Sequence, residues 1–305
     1  MVALKYTLEY GGLRAVAGLV SVLPYRVALA WGWLHARLSF ALLKFRLPEA
    51  RRRVRLALGE QTSEREITRI CRESWTNVVL NGVEMMRAGR TNPDWANRHF
   101  QCEEYVRRLR EQVATGQGAI VACPHMGSWE MGIVVSRLRG LPVFSIGARQ
   151  KNPLVNRYIQ RLRQQPGIEI VPRGDGAMKQ VIRKLRAGQI LGILPDVHAR
   201  EKGVHVPFLG GEAHLHKGMA LFAIHTGCPI FPVVVERHGL SRHSLAIHPP
   251  VHPDRSAPRE QEIQRITAAV IGVIDQAIRR NPGQWFWYNK RWVLDPVVGP
   301  ARDKP

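Results

Sequence analysis

A histidine and a glutamate five residues apart form the strongest candidate for a catalytic pair in the sequence. His125 and Glu130 open and close the segment HMGSWE, residues 125–130. The apolar run that ends at Cys123 predicts a buried strand, and Pro124 cannot continue it. An apolar stretch that predicts a helix follows, so His125 is expected at the C-terminal end of a strand. Ligands of open α/β sheets bind at that edge.

The expected chemistry of this pair is general base catalysis. Glu130 lies one turn or slightly more into the predicted helix, so its carboxylate can reach back to one imidazole nitrogen of His125. Such a contact fixes the tautomer and stabilises the imidazolium. The second nitrogen is then free to accept a proton from an alcohol.

The spacing alone is weak evidence, because the chain holds 12 His and 24 acidic residues in 305 positions and about one such match arises by chance. A second match, His99 with Glu104, has no preceding strand and no Gly-Ser break, which is typical of a polar helix face. The sequence context therefore favours His125. A strand-end histidine that only caps a helix remains the alternative.

Composition predicts one large α/β domain preceded by a helical extension, since 305 residues with 45% hydrophobic content can bury a full core. The net charge of +21 favours a polyanionic partner, which could be nucleic acid, an anionic bilayer or an acidic carrier protein. The four cysteines form no C-x-x-C pair, which argues against a zinc ribbon or a disulfide framework and suits a cytosol-facing protein.

Residues 1–47 are predicted to form a membrane-associated helical segment. Uncharged runs of 11 and 10 residues lie between Arg14, Arg26 and Arg37, and each is shorter than the roughly 18 to 20 residues of a clear span. No small-residue cleavage site follows, which argues against a removable signal peptide. A basic cluster that suits anionic lipid comes next: Lys44, Arg46, Arg51, Arg52, Arg53 and Arg55. A helical hairpin packed on the core is the alternative.

Residues 48–295 alternate between predicted strands and helices, and residues 296–305 are predicted to be a loose tail. This alternation of strands and helices predicts a single wound, mixed sheet with helices on both faces. Pro195-Asp196 follows the strand predicted at 189–194, as His125 follows its own strand, so Asp196 is a further site candidate or else a turn residue. Asp175 is predicted to cap a helix, and His214 to begin the helix that runs to Thr226.

The HMGSWE segment resembles the H-x-G-x-W-E form of the His-x4-acid motif in the bacterial lipid A biosynthesis (lauroyl/myristoyl) acyltransferases, part of the lysophospholipid acyltransferase superfamily. The resemblance continues downstream and covers roughly residues 10 to 293. Arg149 begins a segment similar to the family's Arg-x-x-Asn-Pro block, Pro195-Asp196-Val197 is similar to its Pro-Asp-Gln block, and residues 284–292 are similar to its closing aromatic segment. Val197 and Asn289 depart from the Gln and the His that are usual there.

The resemblance implies a glycerolipid acyltransferase-like α/β fold at the cytosolic face of the bacterial inner membrane. It implies transfer of an acyl chain from acyl-carrier protein to a hydroxyl of a lipid A precursor, without a cofactor other than the acyl thioester, on acyl-carrier protein or CoA, as co-substrate. His125 would act as the base and Glu130 would orient it. Arg149, Asn152, Arg173 and Asp196 are the candidates for substrate contact.

Four other interpretations compete with this one. A metal site at His198, His205, His214 and His216 lacks a recognised ligand set. A nucleic-acid binder would explain the charge, but no recognised module is visible, and no nucleic-acid partner is expected. A basic membrane-bound scaffold with a degenerate site would keep the fold and lose turnover. A lysophospholipid or another lipid O- or N-acyltransferase remains the nearest alternative function.

Overall fold

The structure, a computed structural model, describes residues 2–147, 150–199, 203–290 and 292–294. Its helices are α1 Val2–Val22, α2 Tyr25–Leu43, α3 Leu47–Leu58, α4 Glu64–Met86, α5 Pro93–His99, α6 Glu103–Ala114, α7 Trp129–Leu138, α8 Pro153–Gln164, α9 Ala177–Arg186, α10 Gly218–Thr226 and α11 Arg259–Arg280. Its strands are β1 Phe100–Gln101, β2 Ala119–Ala122, β3 Val143–Gly147, β4 Glu169–Pro172, β5 Ile190–Ile193, β6 Gly203–Phe208, β7 Gly211–His216, β8 Ile230–His238 and β9 Arg242–Ile247.

Seven strands form one mixed sheet in the order β1-β9-β8-β2-β5-β3-β4. The five strands from β8 to β4 are parallel, whereas β9 is antiparallel to β8. Helices cover both faces, and alternate residues of β2 point to opposite cores: Ile120 and Ala122 join one cluster, Ala119 and Val121 the other. The mixed sheet flanked by helices that the sequence predicts is therefore present.

Two local predictions differ from the structure. His214 lies in β7 of a separate β6–β7 hairpin, and α10 begins only at Gly218. Strand β6 alternates buried and exposed residues, but β7 buries Ala213, His214 and Leu215 in succession and so lacks the two-residue period by which a strand is predicted. Asp175 does not cap α9, because Gly176 occupies the N-cap position in a left-handed conformation with φ of 79°.

Helices α1 and α2 are separated by a break at Leu23-Pro24. One side of α2 packs against α4 and buries Ala28, Leu29 and Ala36. Helix α1 contacts α4 and α8. None of the described helices is long and apolar enough to cross a membrane.

Helices α1 and α2, with the residues just after α2, carry most of the exposed large apolar side chains among the described residues. Large apolar side chains that are exposed outside residues 4–45 are only Leu56 and Met178 among those described. One arginine of the basic cluster that follows is buried inside the protein. Arg53 is buried and donates to the carbonyl oxygens of Trp287 and Asn289.

Candidate active site

The strand register brings His125 and Asp196 together. Strands β2 and β5 are parallel neighbours with Ala122 opposite Ile193. His125 and Asp196 each follow three residues after these partners, so both reach the same edge of the sheet. The imidazole Nδ1 of His125 lies 2.8 Å from Oδ1 of Asp196, and the backbone N–H of His125 donates to Oδ2 at 2.7 Å.

The Asp196 carboxylate is almost completely buried but well supplied with donors. Besides the two bonds from His125, its Oδ2 accepts a hydrogen bond from Nε1 of Trp285 at 2.8 Å. Burial alone would raise the pKa of Asp196, but His125 and the donated hydrogen bonds hold it below its ordinary value. The carboxylate therefore stays ionised, which places a proton on Nδ1 of His125 and leaves Nε2 as the acceptor.

His125 has the electrostatics of a base that is tuned by its neighbours. Burial alone would lower its pKa, but the charge and hydrogen bond of Asp196, with the charge of Glu130, raise it above the ordinary value. Its side chain is 21% exposed, so one edge of the ring remains accessible. The ring also contacts Trp129 edge to face, with centroids 5.6 Å apart.

Glu130 has a different partner from the one that the spacing predicts. It lies in the first turn of α7 and pairs with Arg163 of α8, whose Nε donates to Oε2 at 3.1 Å and whose Nη2 donates to Oε1. The hydrogen bond predicted between Glu130 and His125 is replaced by the one to Asp196. The physical reason is that Nδ1 is already occupied across the strand register, while Arg163 offers Glu130 a two-point contact.

Asn152 has a structural position. Its side-chain oxygen caps α8 by accepting from the backbone N–H groups of Leu154 and Val155 at 3.0 and 3.3 Å. Its amide donates to Tyr6 O and to Glu9 in α1, both at 2.9 Å. These four contacts occupy the buried amide and give Asn152 a capping role, while its predicted contact with substrate stays a prediction.

Of the two arginines predicted to contact the substrate, only one lies within the described residues. Arg173 is exposed in the turn after β4 and lies at the edge of the cavity described next. Arg149 lies outside the described residues. Their roles in substrate binding stay predictions.

A cavity of about 420 Å³ begins beside His125 and runs between the sheet and α7. Val121 of β2 and Cys123 just after it line its sheet side, and α7 lines it from Trp129 to Ser136. That stretch of helix is about 10 Å long at about 1.5 Å per residue. Gly192 of β5 also lines the cavity, where a Cβ would come 3.2 Å from Ile133 of α7. The volume lies in the range of about 300–1,000 Å³ that small-ligand cavities occupy.

The closing aromatic segment forms part of the core and also supports the site. Trp285, Trp287 and Trp292 are buried and contact one another, with ring centroids 4.7 to 5.6 Å apart. The backbone N–H of Phe286 donates to the carbonyl oxygen of His125 at 3.0 Å. The sequence analysis assigned these residues to the closing aromatic segment but missed Trp285 as a hydrogen-bond donor to Asp196. A buried indole needs a hydrogen-bond partner, which was the available signal.

The other histidines do not join this site. Nδ1 of His99 donates to the backbone carbonyl oxygen of Ser241 at 2.8 Å, and its ring contacts those of Tyr25 and Trp95. The rings of His198 and His205 lie 5.7 and 4.6 Å from that of His214. Among the described residues, no group of three His, Cys, Asp or Glu side chains is arranged to hold a metal ion.

A comparison with protein families identifies the family of this chain. The profile of the family described as "Bacterial lipid A biosynthesis acyltransferase" matches residues 2–293. The chain belongs to this family.

Individual relatives fall into two groups by name. A phosphatidylinositol mannoside acyltransferase of Mycolicibacterium smegmatis is 26% identical over 194 residues, 62% of this chain and 62% of the relative. The match thus spans about three fifths of that relative's length. A lipid A biosynthesis palmitoleoyltransferase of Escherichia coli is 24% identical over 298 residues, which cover 96% of this chain and 93% of the relative.

Among solved structures, a 1-acyl-sn-glycerophosphate (LPA) acyltransferase from Thermotoga maritima is 17% identical to this chain, with a TM-score of 0.38. The alignment covers 86% of this chain and 98% of that one.

Proposed function

We propose that this protein transfers a fatty acyl chain from an acyl thioester to a hydroxyl of a phosphorylated glycolipid, with His125 as general base. The observation that carries the proposal is the buried Asp196–His125 pair at the mouth of an apolar cavity. Membership in the lipid A acyltransferase family supports the same reaction class.

In the proposed reaction, Asp196 holds the proton on Nδ1 of His125, and Nε2 accepts the proton of the acceptor hydroxyl. The hydroxyl oxygen attacks the thioester carbonyl and forms the new ester bond. The carbon–sulfur bond then breaks, and the leaving thiolate takes the proton back from the imidazolium. No net charge is left on the protein, and Asp196 stabilises the imidazolium while it exists.

A covalent acyl-enzyme is not needed, and the nearby cysteine is a poor candidate for one. Cys123 lines the cavity, but burial and the charge of Asp196 raise the pKa of its thiol well above the ordinary value. A thiol is nucleophilic only as the thiolate. Direct attack by the acceptor hydroxyl is therefore the simpler route.

The cavity fits the acyl chain of the donor. Its lining is mainly aliphatic on both the sheet side and the α7 side, and it lies on the same side of β2 as Val121 and Cys123. Each methylene buried there would stabilise the bound chain by about 0.8 kcal/mol. The thioester would then lie at the mouth, next to His125.

The mouth of the cavity carries positive charge that suits phosphate. Arg163 and Arg173 both lie there, and the Glu130 carboxylate holds Arg163 in place with two contacts. An arginine positioned in this way binds a phosphate oxygen pair in a defined direction. We assign Glu130 this orienting role toward Arg163, together with its electrostatic effect on His125.

The donor is proposed to be acyl-carrier protein, with acyl-CoA as the alternative. Helices α8 and α9 next to the mouth contain seven basic residues and no acidic one: Arg157, Arg161, Arg163, Lys179, Arg183, Lys184 and Arg186. This surface suits an acidic carrier protein, although the phosphates of CoA carry the same sign of charge.

The exposed apolar side of α1 and α2 is proposed to lie on the inner membrane. Leu34, Leu38 and Leu42 recur along the exposed side of α2, and Lys44 and Arg52 follow them. An apolar helix face flanked by cations binds in the interface of an anionic bilayer. Such an orientation would bring a lipid acceptor to the protein without a spanning helix.

A second acceptor class has one observation in its favour. The relatives named phosphatidylinositol mannoside acyltransferases share 25–26% identity over 193 or 194 residues with this chain. A mannosylated phosphatidylinositol also combines a phosphate with sugar hydroxyls, so the arginines at the mouth would serve either lipid.

The test uses the full purified chain with radiolabelled lauroyl thioester on acyl-carrier protein or on CoA. The acceptors are a phosphorylated lipid A precursor and, separately, a phosphatidylinositol mannoside, and labelled products are identified by mass spectrometry. We expect transfer to a hydroxyl of one glycolipid. Failure to acylate either lipid with both donors, by folded protein, would contradict the proposal.

A further inference from the structure

Hydrogen bonds to a buried ion pair fix the turn that follows His125. Gly127 adopts φ of +60°, and a Cβ there would lie 2.0 Å from the carbonyl oxygen of Val235 in β8. The turn is therefore pressed against the sheet in a conformation that favours glycine. Its next residue, Ser128, is completely buried.

Ser128 uses its hydroxyl to reach another helix. It occupies the N-cap position of α7, where serine often accepts from its own helix, but its side chain makes no capping bond. The hydroxyl instead donates to Oε2 of Glu84 in α4 at 2.5 Å. The turn after His125 is thus hydrogen-bonded to α4.

Glu84 is a fully buried carboxylate with several donors. Arg237 of β8 donates to its two oxygens at 3.0 and 2.7 Å, and Tyr25 donates to Oε1 at 2.9 Å. Nε2 of His243 lies 3.1 Å from the same oxygen. Burial alone would raise the pKa of Glu84, but Arg237 and His243 hold it well below its ordinary value.

A second chain of hydrogen bonds leads from the same ion pair to the same turn. Nε of Arg237 donates to Oδ1 of Asn77 at 3.0 Å, and the Asn77 amide donates to the carbonyl oxygen of Gly127 at 2.9 Å. Glu84 therefore holds Ser128 directly, while Arg237 holds Gly127 through Asn77. The two contacts fix consecutive residues of the turn that carries His125.

Stability alone is a poor reason for this arrangement, because apolar residues of similar volume often stabilise a core as well as a buried ion pair does. We propose that Glu84 and Ser128 are positioning residues for His125. Asp196 sets the direction of the imidazole ring, and the Glu84–Ser128 bond sets the backbone that delivers it. This inference rests on the proposed role of His125 as general base.

The chain offers a matched control for this role. Tyr25 and Ser128 each donate one hydroxyl hydrogen bond to Glu84, but Tyr25 belongs to α2, and the contacts described for its side chain are not to the turn. Ser128→Ala and Tyr25→Phe therefore remove the same kind of bond from the same carboxylate. Only Ser128→Ala releases the turn.

The experiment compares melting temperature, kcat, KM and the pH dependence of kcat for wild type, Ser128→Ala and Tyr25→Phe with radiolabelled lauroyl thioester and the accepted glycolipid. We expect both variants to melt at lower temperature. Ser128→Ala should lower kcat by about 10- to 100-fold with little change in KM, since small displacements of a catalytic group have effects of this size. The acidic limb of its pH profile of kcat should also move, because the distance from His125 to Asp196 changes.

Tyr25→Phe should keep kcat and the pH profile of wild type. Equal losses of kcat in the two variants, or unchanged kcat and pH profile in folded Ser128→Ala, would overturn the positioning role. If Ser128→Ala does not fold, Ser128→Cys, which keeps a weak donor, must show the same kcat effect at smaller size. Full activity of His125→Ala in this assay would instead show that the proposed function itself fails.

Discussion

Two pairs of a carboxylate with a basic side chain lie side by side at the mouth of the cavity, and they differ in burial and in hydrogen bonding. In the Asp196–His125 pair the carboxylate is 1% exposed and accepts three hydrogen bonds. In the Glu130–Arg163 pair the carboxylate is 16% exposed and the guanidinium 26%. The buried pair has the fixed geometry that proton transfer needs, while the more exposed pair suits the binding of charge.

This difference shows that the acidic residue near His125 in the sequence is not the one that contacts it in the sheet. Glu130 is five residues from His125, and Asp196 is 71 residues away. Parallel pairing of β2 with β5 nevertheless places Asp196 on the ring, because both residues follow equivalent positions of neighbouring strands. Substitutions in the two pairs should therefore have separable consequences.

Replacement of the histidine should have the largest effect. His125→Ala should lower kcat by about 10²- to 10⁴-fold, the usual contribution of a positioned general base, while the protein keeps its fold. His99→Ala is the matched control, since His99 has an acidic residue at the same spacing but contacts Ser241 and two aromatic rings. Acyl transfer by the two variants checks this, and loss of activity only in His99→Ala would contradict the assignment.

Asp196→Asn should have the next largest effect, of at least about 10²-fold in kcat, because an amide no longer favours the Nδ1–H tautomer of His125. The pH dependence gives a second measure. His125 must be neutral to accept a proton, and Asp196 raises its pKa, so wild-type activity falls as the pH drops through that raised pKa. Loss of the carboxylate lowers the pKa of His125, and the acid limb should move to lower pH. An unmoved limb would count against the pairing.

The cavity can be tested through the choice of acyl chain. Gly192→Val would place a branched side chain against Ile133 inside the cavity. With about 0.8 kcal/mol per buried methylene, the preferred donor should become shorter, with about fourfold lower relative kcat/KM for each methylene that no longer fits. Gly272→Ala in α11, where a Cβ meets no atom within 4 Å, is the control. Competition among thioesters of different length gives the measurement.

Glu130→Gln should have the smallest effect of these variants on the chemical step. A partly exposed ion pair contributes about 1 kcal/mol or less, which corresponds to about fivefold. The change should appear mainly as a higher KM for the phosphorylated acceptor, because Arg163 loses its second contact. Arg163→Lys, which keeps the charge without the planar group, should behave similarly. A kcat loss as large as that of Asp196→Asn would remove the distinction between the two pairs.

The sequence was sufficient for much of the fold and for the position of the base. The apolar run that ends at Cys123 predicted β2, and the strand predicted at residues 189–194 is β5, Ile190–Ile193. Placement of His125 at a strand end was predicted from Pro124 and the Gly-Ser break. These features are local, so periodicity and breakers encode them directly.

The partners of the site could not be read in the same way. Asp196 was predicted to leave its strand as His125 does, but strand order, which makes β5 the neighbour of β2, is not a local property. Trp285 and Glu84 reach the site from distant parts of the chain, through contacts spanning 89 and 44 residues. Asn152 resembled a binding residue by motif, but it caps α8, because a cap and a ligand contact use the same amide.

The most direct test of the central claim, that His125 works with Asp196 and not with Glu130, is a pair of double-mutant cycles on kcat. Combining His125→Ala with Asp196→Asn should cost little more than His125→Ala alone, because the two residues act as one unit. Combining His125→Ala with Glu130→Gln should multiply the two separate losses. If instead the losses of His125 and Asp196 multiply while those of His125 and Glu130 do not, Glu130 and not Asp196 is the catalytic partner of His125.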